Sequence, residues 1–298
     1  MFSQRGIALI QVLIITMVLS ILGIYILQSS RDQIAITRSI KTAFEQRVEI
    51  ENAESKVIHA LLSEFRVRDK NSENELTSQW NFHNQPFELG SVTIQIQDLN
   101  GLISLNKVSK STLQDFFLQL NVDPILSNQF IASLSDWIDE DNETQYNGAE
   151  RDYYEAEGLP GPRNGLLQSV AEVLYIKNHK ILSEEYWYKY FTVANVNGFN
   201  PANSPEKILQ SFIKSDTKVA KLLELRDNGQ LNRHLFYIET GIDSDEFLSF
   251  LTGDSLKITL TTKNQLQKTT KTFTVKLKVR SLTRPIVITN VVWNEYEN

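Results

Sequence analysis

Nine carboxylates stand between Asp136 and Glu157, against one base, Arg151. They are Asp136, Asp139, Glu140, Asp141, Glu143, Glu150, Asp152, Glu155 and Glu157, and the segment carries −8, more than the −6 of the whole chain. Like charges held this close repel, and solvent or a bound cation must offset the repulsion. Calcium takes about six to eight oxygens, from carboxylates, amides and main-chain carbonyls. This stretch supplies that mixture.

Counted from Asp139, loop positions 1, 3, 5, 7, 9 and 12 are Asp139, Asp141, Glu143, Gln145, Asn147 and Glu150. That is the oxygen spacing of an EF-hand loop. Thr144 replaces the Gly such a loop requires, and Tyr146 replaces its apolar residue. The pattern therefore predicts a calcium loop of another kind, with Glu150 as bidentate ligand. Asp152 and Asn164 complete this site or form a second one, for one or two ions. The alternative is a solvated acidic loop. Trp137, Tyr153 and Tyr154 favour the ion, because they can hold the loop against a core.

Other chemistry is sparse. The chain has no Cys, so it has no disulfides and no thiolate metal site. Its four His residues, His59, His83, His179 and His234, are scattered. No Gly-rich phosphate loop and no Gly-x-Ser-x-Gly occurs. A hydrolase would have to use carboxylates such as Asp136 and Asp139 as acid and base. The expectation is a protein that is not an enzyme, with no catalytic residue assigned.

What must position the acidic loop begins at the N-terminus. Ile7 to Leu27 is a 21-residue run without a charge, close to the roughly 20 residues that cross a bilayer as a helix. It exceeds the apolar core of a secretory signal, about 7–15 residues, and no Ala-x-Ala follows it. The short leader with Arg5, then Gly6, then the apolar helix resembles a prepilin-type signal. That resemblance implies cleavage between Gly6 and Ile7 by a prepilin peptidase, with the helix retained. An uncleaved signal anchor and a cleaved secretory signal are the alternatives. No Pro and no Gly occurs from Ile24 to Gln85. Ile36, Ile40, Phe44, Val48, Ala53, Val57, Leu61 and Phe65 recur at helical spacing. One helix from about residue 7 to about residue 66 is predicted, roughly 90 Å long.

Residues 69–79 read as a polar loop. Val92, Ile94 and Ile96 alternate with Thr93, Gln95 and Gln97, as in a strand. Asp98–Gly101 reads as a turn and Leu102–Leu105 as a short second strand. Residues 106–250 read as mainly helical, with a weak internal repeat between Asn106–Phe117 and Asn200–Phe212. In its second copy, Ser204 is expected as N-cap and Pro205 at the first helical position. Such paired hairpins occur in helix-hairpin-helix and SAM-like domains. Strands return over 256–260, 273–280 and 286–293. The stretch from Ser255 to Arg284 holds eight Lys or Arg and no acid. Outward-facing cations of that kind keep sheet edges soluble. The acidic middle of the chain argues against nucleic-acid binding.

The plan is α+β: a long N-terminal transmembrane helix packed on an antiparallel sheet, with a large helical domain inserted between strands. Its divisions are a leader (1–6), a transmembrane helix (7–27), a helix stem with the first strands (28–105), the insert (106–250) and C-terminal strands (251–298).

The residues Gln4 to Leu13, Asp98-Leu-Asn-Gly-Leu-Ile-Ser-Leu-Asn106 and Asp136-Trp-Ile-Asp-Glu-Asp141 resemble the K-type minor pseudopilins of the type II secretion system (general secretion pathway protein K). So do Gly148-Ala-Glu150, Tyr153-Tyr154, Asn164, Ser169, Glu172 and Asn197 to Ala202. Leu159 to Pro162 stands where the family commonly has Pro-Pro-Tyr. The resemblance implies a helical domain inserted into a pilin-like fold, with calcium in it. It implies a single pass through the bacterial inner membrane, with a cytoplasmic N-terminus and a periplasmic bulk. The implied partners are the I-type and J-type minor pseudopilins, the major pseudopilin and the prepilin peptidase, with no nucleic acid. Most pilin-like subunits have Glu as fifth mature residue, paired with a neighbour's N-terminal amine. Gln11 stands there in this chain, and a neutral residue suits a tip subunit that lacks that neighbour. The function so implied is a tip subunit that initiates or caps the filament driving export across the outer membrane. A subunit of a DNA-uptake pilus and a signal-anchored periplasmic calcium-binding protein are the alternatives.

Overall fold

A computed structural model describes residues 5–69, 71–196, 198–243, 247–263, 267–278 and 281–297. Met1–Gln4 of the leader, Asn197, and Val279 with Arg280 of an expected strand lie outside the described residues.

Helix α1 runs Arg5–Ser63, uninterrupted by Pro. Its large apolar side chains from Leu9 to Leu27 all face outward. It is long and apolar enough to cross a membrane. The expected polar loop contains a short helix, α2 (Glu75–Gln79), capped by Asn74. Strand β1 (Phe87–Leu89), which the sequence pattern did not reveal, precedes β2 (Val92–Asp98). After a 3-10 turn at Leu99–Gly101 come β3 (Ile103–Ser104), α3 (Lys110–Gln119), α4 (Pro124–Ile138) and α5 (Arg151–Ala156). Then follow 3-10 turns at Val170–Tyr175 and His179–Ile181, α6 (Glu184–Tyr190) and β4 (Phe191–Thr192). Helices α7 (Glu206–Ile213), α8 (Asp216–Asp227) and α9 (Arg233–Thr240) complete the helical part. The chain closes with β5 (Ser255–Lys263), β6 (Gln267–Leu277) and β7 (Ile286–Glu297).

The main sheet is antiparallel, in the order β1-β2-β5-β6-β7. Period-two alternation turns Ile94, Ile96, Leu256, Ile258, Leu260, Phe273 and Val275 to one face, where they are buried. The face of α1 carrying Ile50, Ala53, Val57, Ala60 and Leu61 covers them. Each such Ile, Leu, Val or Phe side chain contributes about 1.5–3 kcal/mol on burial. A second core, from Leu99 to Leu248, fills the inserted domain with Phe116, Phe117, Phe130, Trp187 and Phe191 at its centre. Trp187 and Phe191 stack 4.8 Å apart between ring centres, and Phe117 meets Phe130 edge-on at 5.7 Å.

Three local expectations give way. β3 pairs in parallel with β4 inside the insert, so residues 103–104 belong to that domain and not to the main sheet. A two-residue strand is too short to show its partner by alternation. Pro205, not Ser204, is the N-cap of α7. The Ser204 hydroxyl instead donates to the Gly101 carbonyl at 2.7 Å. Lys271 does not point outward. It is buried beneath α1, bonded to Glu54 and, at 2.9 Å, to Glu51.

The insert leaves the sheet at Asp98 and returns at Ser255, beside it in register, since Asp98 faces Leu256. Asp98 fastens this junction. Its buried carboxylate accepts the Asn100 and Gly253 N–H groups and the side-chain amides of Asn200 and Asn203, at 2.9–3.1 Å. Burial pushes its pKa up, and these donors pull it back down.

Candidate metal centre

Helix α4 delivers the acidic loop. Asp123 caps its start, accepting from the Ile125 and Leu126 N–H groups, and Pro124 takes the first position. Its last turn brings Asp136 inward and Trp137 into the core, where the indole meets the buried Tyr154 ring edge-on at 5.2 Å. Beyond the helix the chain loops out and returns at Glu150, the N-cap of α5.

Asp136 shapes the loop from within. Its carboxylate accepts the Ala149 N–H at 2.8 Å and the Gln145 N–H at 3.2 Å. Gly148 lies so close that a Cβ there would sit 2.0 Å from the Asp136 Oδ2. Lys110 donates to the Gln145 amide oxygen, and Lys177 to the Gly148 carbonyl at 3.0 Å. Asp136 thus has two backbone donors and is occupied as a support.

The structure brings together Asp139, Asp141 and Glu150, with one oxygen of each within 4.8 Å of the others. Asn164 joins them from across the insert. Its amide nitrogen donates to the Asp141 carbonyl at 2.7 Å and to the Asn142 Oδ1 at 3.1 Å. Its backbone is left-handed, φ +50°. The Arg163–Glu172 ion pair at 2.8 Å pins that segment, and Glu172 also accepts the Gln168 and Ser169 N–H groups. Glu143 and Asp152 are exposed and lie outside this group.

Four acceptors at the centre are buried without a donor: Asp139 Oδ1, both carboxylate oxygens of Glu150, and Asn164 Oδ1. A buried carboxylate with no donor is costly, unless a cation neutralises it. Burial raises the pKa of Glu150, and repulsion from Asp136, Asp139 and Asp141 raises it further. Asp139 is raised likewise, first by burial and then by Asp141 and Asp136. An all-oxygen donor set with three carboxylates and an amide fits a hard divalent cation. The residues present therefore fit calcium.

The sequence pattern named the loop but not its supports. It offered Asp136 as one of nine clustered acids and a catalytic candidate, and Asp98 as part of a turn, both within the motifs of the resemblance but neither as a support. The one available signal for Asp98 was the pair Asn200 and Asn203, amides more than a hundred residues away in the second repeat.

Residues 93–182, which hold all but the first residue of β2, Asp98 and the whole candidate centre, match the family model described as type II secretion system (T2SS), protein K. A protein named for type II secretion system protein K in Escherichia coli strain K12 is 24% identical over 194 residues, 59% of this chain. The match spans 58% of that relative's length. A chain of the crystallised GspK–GspI–GspJ complex, from the type 2 secretion system of enterotoxigenic Escherichia coli, superposes with a TM-score of 0.57. It covers 87% of this chain and 99% of its own length at 16% identity, a likeness of fold. Residues 93–182 match the family model of type II secretion system protein K, and the fold of the whole chain resembles that of GspK.

Proposed function

We propose that this chain is a non-catalytic minor pseudopilin of a type II secretion system. It sits at the tip of the pseudopilus and initiates or caps the filament that drives protein export across the outer membrane. The observation that carries the reading is the insertion. A helical domain holding most of the protein K match is spliced between neighbouring strands of a sheet that rests on a single long helix.

On this reading α1 crosses the bacterial inner membrane once, with its N-terminus cytoplasmic and the rest of the chain periplasmic. A prepilin peptidase cuts between Gly6 and Ile7, and the new N-terminus is methylated. Ile36, Ile40 and Phe44, exposed on α1 beyond the span, face the helices of neighbouring subunits. The crystallised relative contains GspI and GspJ beside GspK, and the I-type and J-type subunits are the partners inferred here. Gln11, exposed on α1, leaves no unpaired charge where a neighbour is missing. Calcium, when bound, supplies the positive charge that Asp139, Asp141, Glu150 and Asn164 lack. The protein's part is to orient those oxygens through Asp136 and the Arg163–Glu172 pair.

The N-terminal mass of the protein expressed with and without prepilin peptidase tests this. A mature start at Ile7 that requires the peptidase is the expected result. An intact Met1 in both, or a cut beyond Leu27, would overturn the reading.

A further inference from the structure

The two edges of the main sheet are built differently. β1 is three residues long, a short edge of the kind that discourages pairing. β7 is twelve residues long, and its outer side pairs with no described strand. Ile286 to Asn294 contains no charge at all. Ile288, Val291 and Val292 are 38%, 49% and 49% exposed. A long, uncharged, apolar edge invites another strand, and a protein normally blunts or covers it. Around the start of β7 stand three exposed cations: Lys276 on β6, paired with Val287, and Lys278 and Arg284 in the connection between the two strands. None of them is ion-paired among the described residues.

We propose, resting on the pseudopilin reading, that the outer edge of β7 accepts an extended strand from a neighbouring filament subunit. That strand carries carboxylates where it passes Lys276, Lys278 and Arg284. Main-chain bonds supply affinity in such strand addition, and side chains select the partner.

A second copy of this chain does not fit. α1 runs in the same direction as β6: Gln46 meets Gln267 and Thr269, and the later Glu51 and Glu54 meet Lys271. β7 is antiparallel to β6 and so to α1. Antiparallel pairing of two β7 strands would therefore point the second α1 away from the membrane that holds the first. Parallel pairing would set the three cations against the same three cations.

The chain lacks Cys, so single-cysteine labelling of the full protein is clean. Variants with Cys at Thr289 and Asn294 on β7, Phe44 on α1 and Glu88 on β1 are co-expressed with the I-type and J-type subunits and a prepilin peptidase. Each is then cross-linked through benzophenone maleimide. The expected result is adducts from Thr289→Cys and Asn294→Cys to an acid-bearing strand of one co-expressed subunit. Adding Val291→Lys, or independently Val292→Lys, removes them while the Phe44→Cys adduct and the melting temperature persist. A Phe44→Cys adduct with β7 yields no higher than the Glu88→Cys control overturns the strand addition and leaves the pseudopilin reading intact. Adducts from β7 only to a second copy of this chain also overturn it. Silence at Phe44 and β7 together overturns both.

Discussion

Glu150 shows what one side chain must tolerate when its environment is built for a cation. Both its oxygens are buried without a donor, beside two other carboxylates. An ion present at about a hundredfold its dissociation constant adds about 3 kcal/mol to stability. That corresponds to a rise in melting temperature on the order of 5–10 °C for a chain of this size. Glu150→Gln should abolish the rise while raising the melting temperature in chelator, because it removes a buried, repelled charge. Melting of parent and variant, each with calcium and with chelator, checks this, and equal melting of the parent in both would sink the calcium assignment. His83 makes a different prediction. Burial, with Arg226 nearby, lowers its pKa to about 4. It is therefore neutral at pH 7, and its 3.8 Å approach to Asp227 is no ion pair there. The unfolded chain takes up the proton near the ordinary value of about 6.5, so stability falls as pH drops from about 6.5 through 4, by up to about 3 kcal/mol. His83→Gln should flatten that part of the profile, measured by denaturant unfolding at stepped pH. At this scale the types and spacing of the loop acids were legible in the sequence, since one local segment holds most of them. Asn164 was named as a ligand beside the loop but not its bonds to Asp141 and Asn142, and the supporting role of Asp136 was not legible at all, because it depends on which backbone N–H groups the loop turns towards it.

Between elements, the contact of α1 with the sheet mixes an apolar seam with buried polar bonds. Thr269 donates to Gln46 at 2.7 Å, Thr262 donates to Glu49 at 3.1 Å, and Lys271 bridges Glu51 and Glu54. Lys271 also lies over the Trp293 ring at 4.8 Å, tying β7 into the same cluster. Lys271→Met would leave Glu54 buried and unpaired, at a cost of about 3–5 kcal/mol. Lys271→Met with Glu54→Leu should recover most of that loss, because an apolar pair of similar volume needs no counter-charge. Chemical denaturation of the two variants distinguishes these outcomes, and equal destabilisation of both would contradict them. Helix periodicity had announced α1, strand alternation β2, β5 and the second half of β6, and an apolar run most of β7. Alternation could not announce the inward turn of Lys271, because a Thr and Lys run reads as solvent-facing whichever side it takes. Nor did it announce β1 or the partner of β3, whose lengths are too short to carry a period.

For the whole molecule, the insertion is the defining feature, and the shift from period two to helical spacing and back made it visible in outline. Its seam was hidden, because Asp98 and its amide partners are brought together only by the fold. Since Asp98 and Leu256 are register partners, residues 99–255 can be replaced by a two-residue Asn-Gly turn joining β2 to β5 as a hairpin. With Asp98→Ser in the same variant, the sheet on α1 should fold and melt cooperatively, and its melting should no longer respond to calcium. Far-UV circular dichroism and melting with and without chelator check this, and a variant with no cooperative transition would mean that the sheet needs its insert. The seam also has a mechanical consequence. β2 and β5 leave the sheet side by side, so a pull on the inserted domain would open their rungs one at a time, starting at the Asp98 clasp, as a zipper opens from its end. A push along α1 would instead press both strands back into register and load every rung together. The joint is weak in tension and strong in compression.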